Sequence, residues 1–126
     1  AQETIITKNE LPKNAQLFIS KYFGNQTISY IKKDKEFVSS DYEVKYSNGM
    51  EVKFDSSGNW EEVDGNHQNI PTGFISKKIT SYIAKQFPGN HITKIEKQSF
   101  GKQEVKISNG LELQFNSSGN FVKIDD

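Results

Sequence analysis

The chain contains no cysteine and no arginine, since all sixteen of its basic residues are lysines. Without cysteine, disulfides, thiolate nucleophiles and cysteine-based metal sites are excluded. Without arginine, the planar fork that binds carboxylate or phosphate groups in a bidentate manner is missing. Sixteen acidic residues balance the lysines, so no overall field attracts nucleic acid. We therefore predict that no nucleic acid is a partner.

Long apolar runs are also missing. No stretch approaches the roughly 18 apolar residues of a membrane helix, so we predict no membrane insertion. Hydrophobic residues make up 33% of the chain and the mean hydropathy is -0.72, which is expected if one face of a sheet lies in water. The chain opens with Ala1 and Gln2, as the residues left after removal of a signal peptide would, so we expect an exported protein.

The strongest positive feature is an internal repeat. Residues 43–64 and 104–125 are identical at 13 of 22 positions at a constant offset of 61. Such self-similarity indicates one supersecondary unit used twice. We divide the chain into an N-terminal tail or edge strand at 1–10, a first repeat at 11–65, a linker at 66–69 and a second repeat at 70–126. Because one repeat alone is small, we expect both to share one core.

Each repeat begins with an X-Pro pair followed by a helical pattern. Apolar residues recur at helical spacing after Pro12 and again after Pro71. Gly24 and Gly89 end the two patterns, and this spacing predicts that the second helix is six residues longer than the first. The predicted helical stripes are Ala15, Phe18, Ile19, Tyr22 and Phe23, and then Ile75, Ile79, Tyr82, Ile83 and Phe87.

Beyond each helix, the apolar period changes to that of strands. Four strands are predicted per repeat, at 27–33, 42–46, 50–54 and 60–64, and then at 92–97, 103–107, 111–115 and 121–125. The first strand of the first repeat has two apolar residues out of phase, which predicts a bulge. Ser-Asn-Gly turns of three residues, with Gly49 and Gly110 in the left-handed region, keep one consistent apolar face. The predicted class is α+β, with a helix and a four-stranded antiparallel meander in each repeat and the helices on one face of the sheet.

The opposite face of this sheet is predicted to be open to solvent. Opposite-charge pairs across neighbouring strands are typical of such a face. The predicted pairs are Lys45 with Glu51, Lys53 with Glu43 and Lys106 with Glu112.

Two aromatic residues are predicted to project from the open face. A four-residue loop at 116–119 would place Val122 opposite Leu113, which turns Phe121 outward, and Trp60 holds the equivalent position in the first repeat. Exposed aromatic residues are enriched at binding hot spots. The alternative is that the two rings only cover the sheet together with lysine stems. The predicted partner-binding residues are Trp60, Phe121, Lys45, Lys53 and Lys106.

No catalytic constellation is present in the sequence. The histidines, His67 and His91, fall in predicted loops, and no phosphate-binding or zinc-protease motif occurs. The segment 55–59 contains Asp and Asn but lacks the twelve-residue ligand spacing of a calcium loop. We predict neither enzymatic activity nor a cofactor or metal.

Four motifs occur in the same order in both repeats: an X-Pro helix, Phe-(Pro)-Gly-Asn, Ile-x-x-Ile-x-Lys and S-N-G-x-E-x-x-F-x-S-S-G-N-aromatic. This order resembles the PepSY-like family of exported bacterial proteins, which are described as beta-lactamase-inhibitor-like. The resemblance extends from Leu11 to the C-terminus. It implies helices on one side of an antiparallel sheet and a location in the periplasm or at the cell surface. PepSY domains are linked to inhibition of secreted peptidases, which implies a protein partner.

Two functional hypotheses remain open at this point. The first is a non-enzymatic module whose open sheet face binds a protein or peptide, such as a hydrolase that it inhibits. The second is a carrier of a small molecule or glycan that stacks on Trp60. A broad, shallow surface would favour the first hypothesis, and a closed pocket of a few hundred Å³ the second.

Overall fold

The computed structural model describes residues 2–35 and 40–125, so the expectation for Ala1 lies outside the described residues. These residues form a nine-stranded antiparallel sheet in chain order and two α-helices, which confirms the α+β class. None of the helices in these two ranges is long and apolar enough to cross a membrane. The elements are β1 (Gln2–Ile6), α1 (Lys13–Phe23), β2 (Ile28–Lys35), β3 (Ser40–Tyr46), β4 (Glu51–Phe54), β5 (Trp60–Asp64), α2 (Lys77–Gln86), β6 (Ile92–Lys97), β7 (Gln103–Ile107), β8 (Glu112–Phe115) and β9 (Phe121–Asp125).

The chain divides into two compact units, Ala1–Val63 and Asp64–Asp126, called unit 1 and unit 2 below. Helix α1 of unit 1 follows Pro12, whose fixed φ suits a helix start, and it ends at Gly24. Three residues of its predicted stripe, Ala15, Ile19 and Phe23, are buried, whereas Phe18 and Tyr22 are half-buried. Phe23 stacks on Tyr46 of β3 with 5.2 Å between ring centroids, so α1 packs on the sheet through aromatic contacts.

Helix α2 of unit 2 has ten residues, whereas α1 has eleven, so the prediction that the second helix is longer was wrong. The Ser76 hydroxyl accepts a hydrogen bond from the Lys78 amide at 3.2 Å and thereby caps α2. The Ile75 amide bonds the Thr72 carbonyl at 3.0 Å, which places the residues after Pro71 in a turn. The extra residues therefore lengthen the approach to the helix.

The hairpin between β3 and β4 has the predicted three-residue turn. The Tyr46 amide donates to the Met50 carbonyl at 2.9 Å, and Gly49 has a φ of 92°. Val44 then lies opposite Val52, and both side chains are fully buried. In unit 2 the corresponding turn has a φ of 91° at its glycine. The face assignment of β3, β4, β7 and β8 is therefore confirmed.

The predicted register of β8 and β9 was wrong. The Asn116 amide bonds the Asn120 carbonyl at 2.9 Å, so the loop has three residues where four were predicted. A bulge on β9 then takes up Val122 as the extra residue, and Phe121 lies opposite Phe115. Because a shift of one residue exchanges the two faces of a strand, Phe121 turns to the side of α2.

Candidate functional site

The side of the unit 1 sheet that faces away from α1, called the solvent face here, carries a network of ion pairs. Lys45 lies opposite Glu51 and Lys53 lies opposite Glu43, as predicted. Each lysine also contacts a carboxylate through its side chain. The distances from lysine Nζ to carboxylate oxygen are 3.0 Å for Lys45–Glu51, 3.6 Å for Lys32–Glu3, 3.7 Å for Lys32–Glu43 and 3.9 Å for Lys53–Glu62.

These contacts keep two lysines of the solvent face charged. The nearby Glu43 carboxylate raises the pKa of Lys32 above its usual value. A hydrogen bond to Glu51 raises the pKa of Lys45 in the same way. A lysine that acts as a base needs a lowered pKa. Neither side chain is therefore suited to proton abstraction, which agrees with a binding role for this face.

One end of the solvent face forms a cavity of about 380 Å³ with an excess of negative charge. Among its charged lining residues are five carboxylates and two lysines. The lining residues are Glu3, Lys32, Asp34, Asp41, Tyr42, Glu43, Lys53, Phe54 and Glu61. Because Lys32 is already shared between Glu3 and Glu43, the negative charge of the cavity is only partly compensated.

Three of the cavity carboxylates form a row across neighbouring strands. Asp34 of β2 lies directly opposite Glu3 of β1 and also opposite Asp41 of β3. Like charges in directly opposite positions destabilise a sheet. Within the described part of the chain, Asp34 Oδ1 is buried and has no hydrogen-bond partner. This acidic row is therefore complementary in charge to a positively charged hydrogen-bond donor.

An aromatic residue outside the predicted site, Tyr30, also lies on the solvent face. Tyr30 is opposite Lys45, and its ring centroid is 5.8 Å from Lys32 Nζ. The register of β2 shifts between Ile28 and Tyr30, and this bulge turns Tyr30 away from the core. The out-of-phase apolar residues of this strand predicted the bulge, but the outward position of Tyr30 was not predicted.

Of the two aromatic residues predicted to bind a partner, Phe121 lies on the other face of the sheet, and the role of Trp60 stays a prediction. Phe121 stacks on Tyr82 of α2, with 4.7 Å between centroids and 12° between ring planes, so the prediction that it projects from the open face was wrong. Contacts with Tyr82 and Phe115 bury part of the Phe121 ring, whereas a ring that projected outward would have stayed in water. Trp60 is half-buried at the equivalent position of β5. A role of either residue in partner binding stays a prediction.

In unit 2, the predicted site residue Lys106 lies opposite Glu112 on the face away from α2. On this face, Glu104 lies within hydrogen-bonding reach of the Asp125 carboxylate. This contact raises the pKa of Glu104 to about 7, and partial burial of Glu104 adds to the increase. Lys106 is also the direct cross-strand neighbour of Lys94. Lys106 therefore does not lie on the same unit as Lys45 and Lys53, and any joint role of the three lysines stays a prediction.

The polar loop at 55–59 forms a hydrogen-bonded turn. Asp55 Oδ1 accepts hydrogen bonds from the amides of Ser57 and Asn59, both at 2.9 Å. In unit 2, Asn116 Oδ1 accepts the two equivalent bonds at 3.0 Å. Because a neutral amide performs the same task, the role of Asp55 in this turn needs no bound cation. The two histidines are exposed.

Comparison with protein families decides the relationship of this chain. The family described as "Putative beta-lactamase-inhibitor-like, PepSY-like" matches residues 1–55 and 40–123. The chain belongs to this PepSY-like family. The resemblance found in the sequence is therefore confirmed. No protein of curated function matches the chain.

Solved structures similar to this chain match it over nearly its whole length. A "putative calcium-regulated periplasmic protein" of Bacteroides thetaiotaomicron is 35% identical, with a TM-score of 0.92, and the match covers 98% of this chain and 97% of that one. A "putative periplasmic protein" of Bacteroides vulgatus is 31% identical, with a TM-score of 0.92 and coverages of 99% and 98%. A second B. vulgatus protein, of unknown function, is 32% identical, with a TM-score of 0.89 and coverages of 99% and 100%.

Proposed function

We propose that this PepSY-like protein is a non-enzymatic binding module of the periplasm. In this proposal, the solvent face of unit 1 binds a protein or peptide that inserts a lysine or arginine side chain into the acidic cavity. The inhibitor-like description of the family supports a protein partner, and the periplasmic relatives support the location. An inhibited hydrolase with a basic residue at its surface is one partner of this kind.

The row of Glu3, Asp34 and Asp41 is the observation that carries this proposal. Three like charges on neighbouring strands weaken the sheet unless a cation lies between them. The buried Asp34 Oδ1 lacks a donor among the described residues, and a buried acceptor without a partner costs about 1 to 3 kcal/mol. An ammonium or guanidinium group would supply both the charge and the hydrogen bond.

The cavity has the volume of a small-ligand pocket but is partly open to solvent, and this open shape favours a side chain of a larger partner over an enclosed ligand. Its volume of about 380 Å³ accommodates one long basic side chain, and the ion-paired solvent face continues beside it. Tyr30 lies on this face near Lys32 and offers an aromatic contact next to the charged row. The carrier hypothesis has less support, because it requires a ligand to stack on Trp60, and this side chain is half-buried.

The test uses a pentapeptide of five lysines as the probe. A pentapeptide of five glutamates, which has the opposite charge, is the control peptide. Binding is measured by NMR titration of the full chain at low salt. We expect the lysine peptide to shift the amide signals of residues 32–34 and 41–43. Asp34→Asn should weaken binding about tenfold or more, since a charge-assisted hydrogen bond contributes about 1.5 to 3 kcal/mol.

Asp55→Asn is the matched control. It makes the same change of charge and atoms, and Asn116 shows that an amide keeps the turn intact. Because one solved relative is described as calcium-regulated, the titration is repeated in EDTA and in Ca²⁺. Equal affinity of the Asp34→Asn variant and the unmodified chain, or signal changes confined to other residues, would contradict the proposal.

A further inference from the structure

Strand β9 is the last strand of the sheet, and β8 is its hydrogen-bonded neighbour in the described part of the chain. Two apolar side chains of β9 are poorly covered, since Val122 is 49% exposed and Ile124 is 44% exposed. Val63, which holds the position equivalent to Ile124 in β5, is fully buried. A strand edge whose apolar side chains are exposed in this way can serve as a template for pairing with another strand.

The solvent side of β9 carries one charge of each sign. Lys123 and Asp125 both point to this side, with 4.0 Å between Lys123 Nζ and Asp125 Oδ1. Asp125 lies directly opposite Glu112 of β8, and Glu104 is its hydrogen-bonding neighbour. Three carboxylates thus gather beside the edge of the sheet, and a further cation there would reduce their mutual repulsion.

We propose that β9 is the contact strand of a symmetric homodimer, in which it pairs antiparallel with β9 of a second copy. Ile124 then lies opposite Ile124 of the partner subunit on the helix side. Lys123 lies opposite Asp125 of the partner subunit on the solvent side, and symmetry forms this ion pair twice. A twofold interface of this type uses the same patch on both copies.

The charges and the two faces of β9 select this register. A twofold axis between two residues would pair solvent-side with helix-side residues, which the period of a strand excludes. An axis at Lys123 would place the two Lys123 side chains directly opposite each other, and like charges in this position destabilise pairing. An axis at Ile124 gives two opposite-charge pairs and one apolar pair. The interface is short, so we expect reversible, concentration-dependent association.

The experiment measures the mass of the full chain by sedimentation equilibrium over a concentration series at low salt. We expect a monomer–dimer equilibrium. Lys123→Asp or Asp125→Lys alone creates two like-charge pairs and should raise the dissociation constant about tenfold or more. The double variant Lys123→Asp/Asp125→Lys restores both pairs and should regain dimerisation. Lys13→Asp, the same change of charge at an exposed position of α1, is the matched control and should dimerise normally.

Mixing the two single variants gives the sharpest outcome. Position 123 of the Lys123→Asp variant then faces position 125 of the Asp125→Lys variant with the opposite charge. The unchanged Asp125 and Lys123 of the two variants form the second pair, so the mixture should associate although neither variant does so alone. Asp125→Lys also replaces the repulsion from Glu112 by attraction, so its monomer should remain folded. A chain that is monomeric at every concentration, an unaffected single variant or a mixture that stays monomeric would each overturn the proposal.

Discussion

Replacement of Phe121 by alanine tests whether this ring belongs to the core of unit 2. Replacement of a fully buried phenylalanine by alanine lowers the free energy of unfolding by about 3 to 5 kcal/mol. Phe121 is half-buried, so about half of this cost is expected, and the stacked contact with Tyr82 adds about 0.5 to 1.5 kcal/mol. The free energy of unfolding should therefore fall by about 2 to 4 kcal/mol.

Urea unfolding followed by circular dichroism measures this change. With a slope of about 1 to 3 kcal/mol per molar urea, the midpoint should fall by about 1 M or more. Phe100→Ala is the matched control, because Phe100 is 91% exposed and its truncation should cost about 0.5 kcal/mol or less. If Phe121→Ala were as mild as the control, Phe121 would project into solvent and the observed register of β9 would be refuted.

Three further changes test the packing, the turns and the charges. Tyr46→Phe should leave stability unchanged or raise it by up to about 1 kcal/mol in thermal unfolding, because the buried hydroxyl has no hydrogen-bond partner among the described residues; a clear loss would reveal such a partner. Gly58→Ala should lower the melting temperature more than Gly110→Ala: both residues have positive φ, but only at Gly58 would a Cβ overlap neighbouring side chains, so equal losses would contradict this packing. The pKa of Glu104 is raised to about 7 in the folded chain from about 4.3 in the unfolded chain, so between these pH values the folded state holds a proton that the unfolded state has lost. The stability that this proton provides is complete below about pH 4.5 and is lost as the pH rises through 7. Urea midpoints of Glu104→Gln should therefore change less between pH 5 and pH 8 than those of the unmodified chain, and identical profiles would exclude Glu104 as the cause.

The sequence predicted the parts of the fold that depend on neighbouring residues. The turn at Gly49 follows from Ser-Asn-Gly between two alternating strands, and its geometry agrees with the structure. The register of β9 depends on Tyr82, which is distant in sequence and favours an inward position of Phe121. Val122 and Ile124 alternate as inward residues do, but the bulge at Val122 breaks this alternation, so that both Phe121 and Ile124 lie on the helix side.

The candidate site was harder to predict than the fold for a related reason. The individual carboxylates are evident in the sequence, but the acidic row requires the pairing of Asp34 with Glu3 and Asp41 across three strands. The strands predicted at 27–33 and 42–46 stopped short of the acidic residues, whereas β2 extends to Lys35 and β3 begins at Ser40, so Asp34 and Asp41 were not included. A boundary error of two residues therefore concealed the row, and the bulge in β2 concealed Tyr30.

The equivalent turns at Asp55 and Asn116 have a consequence for how this chain can change during evolution. Each side chain holds its loop through the same two hydrogen bonds, although only Asp55 carries a charge. Exchange of Asp and Asn at these positions thus alters the local field and leaves the backbone in place. Selection for a new partner can therefore act on charge there without first opposing selection for a folded chain.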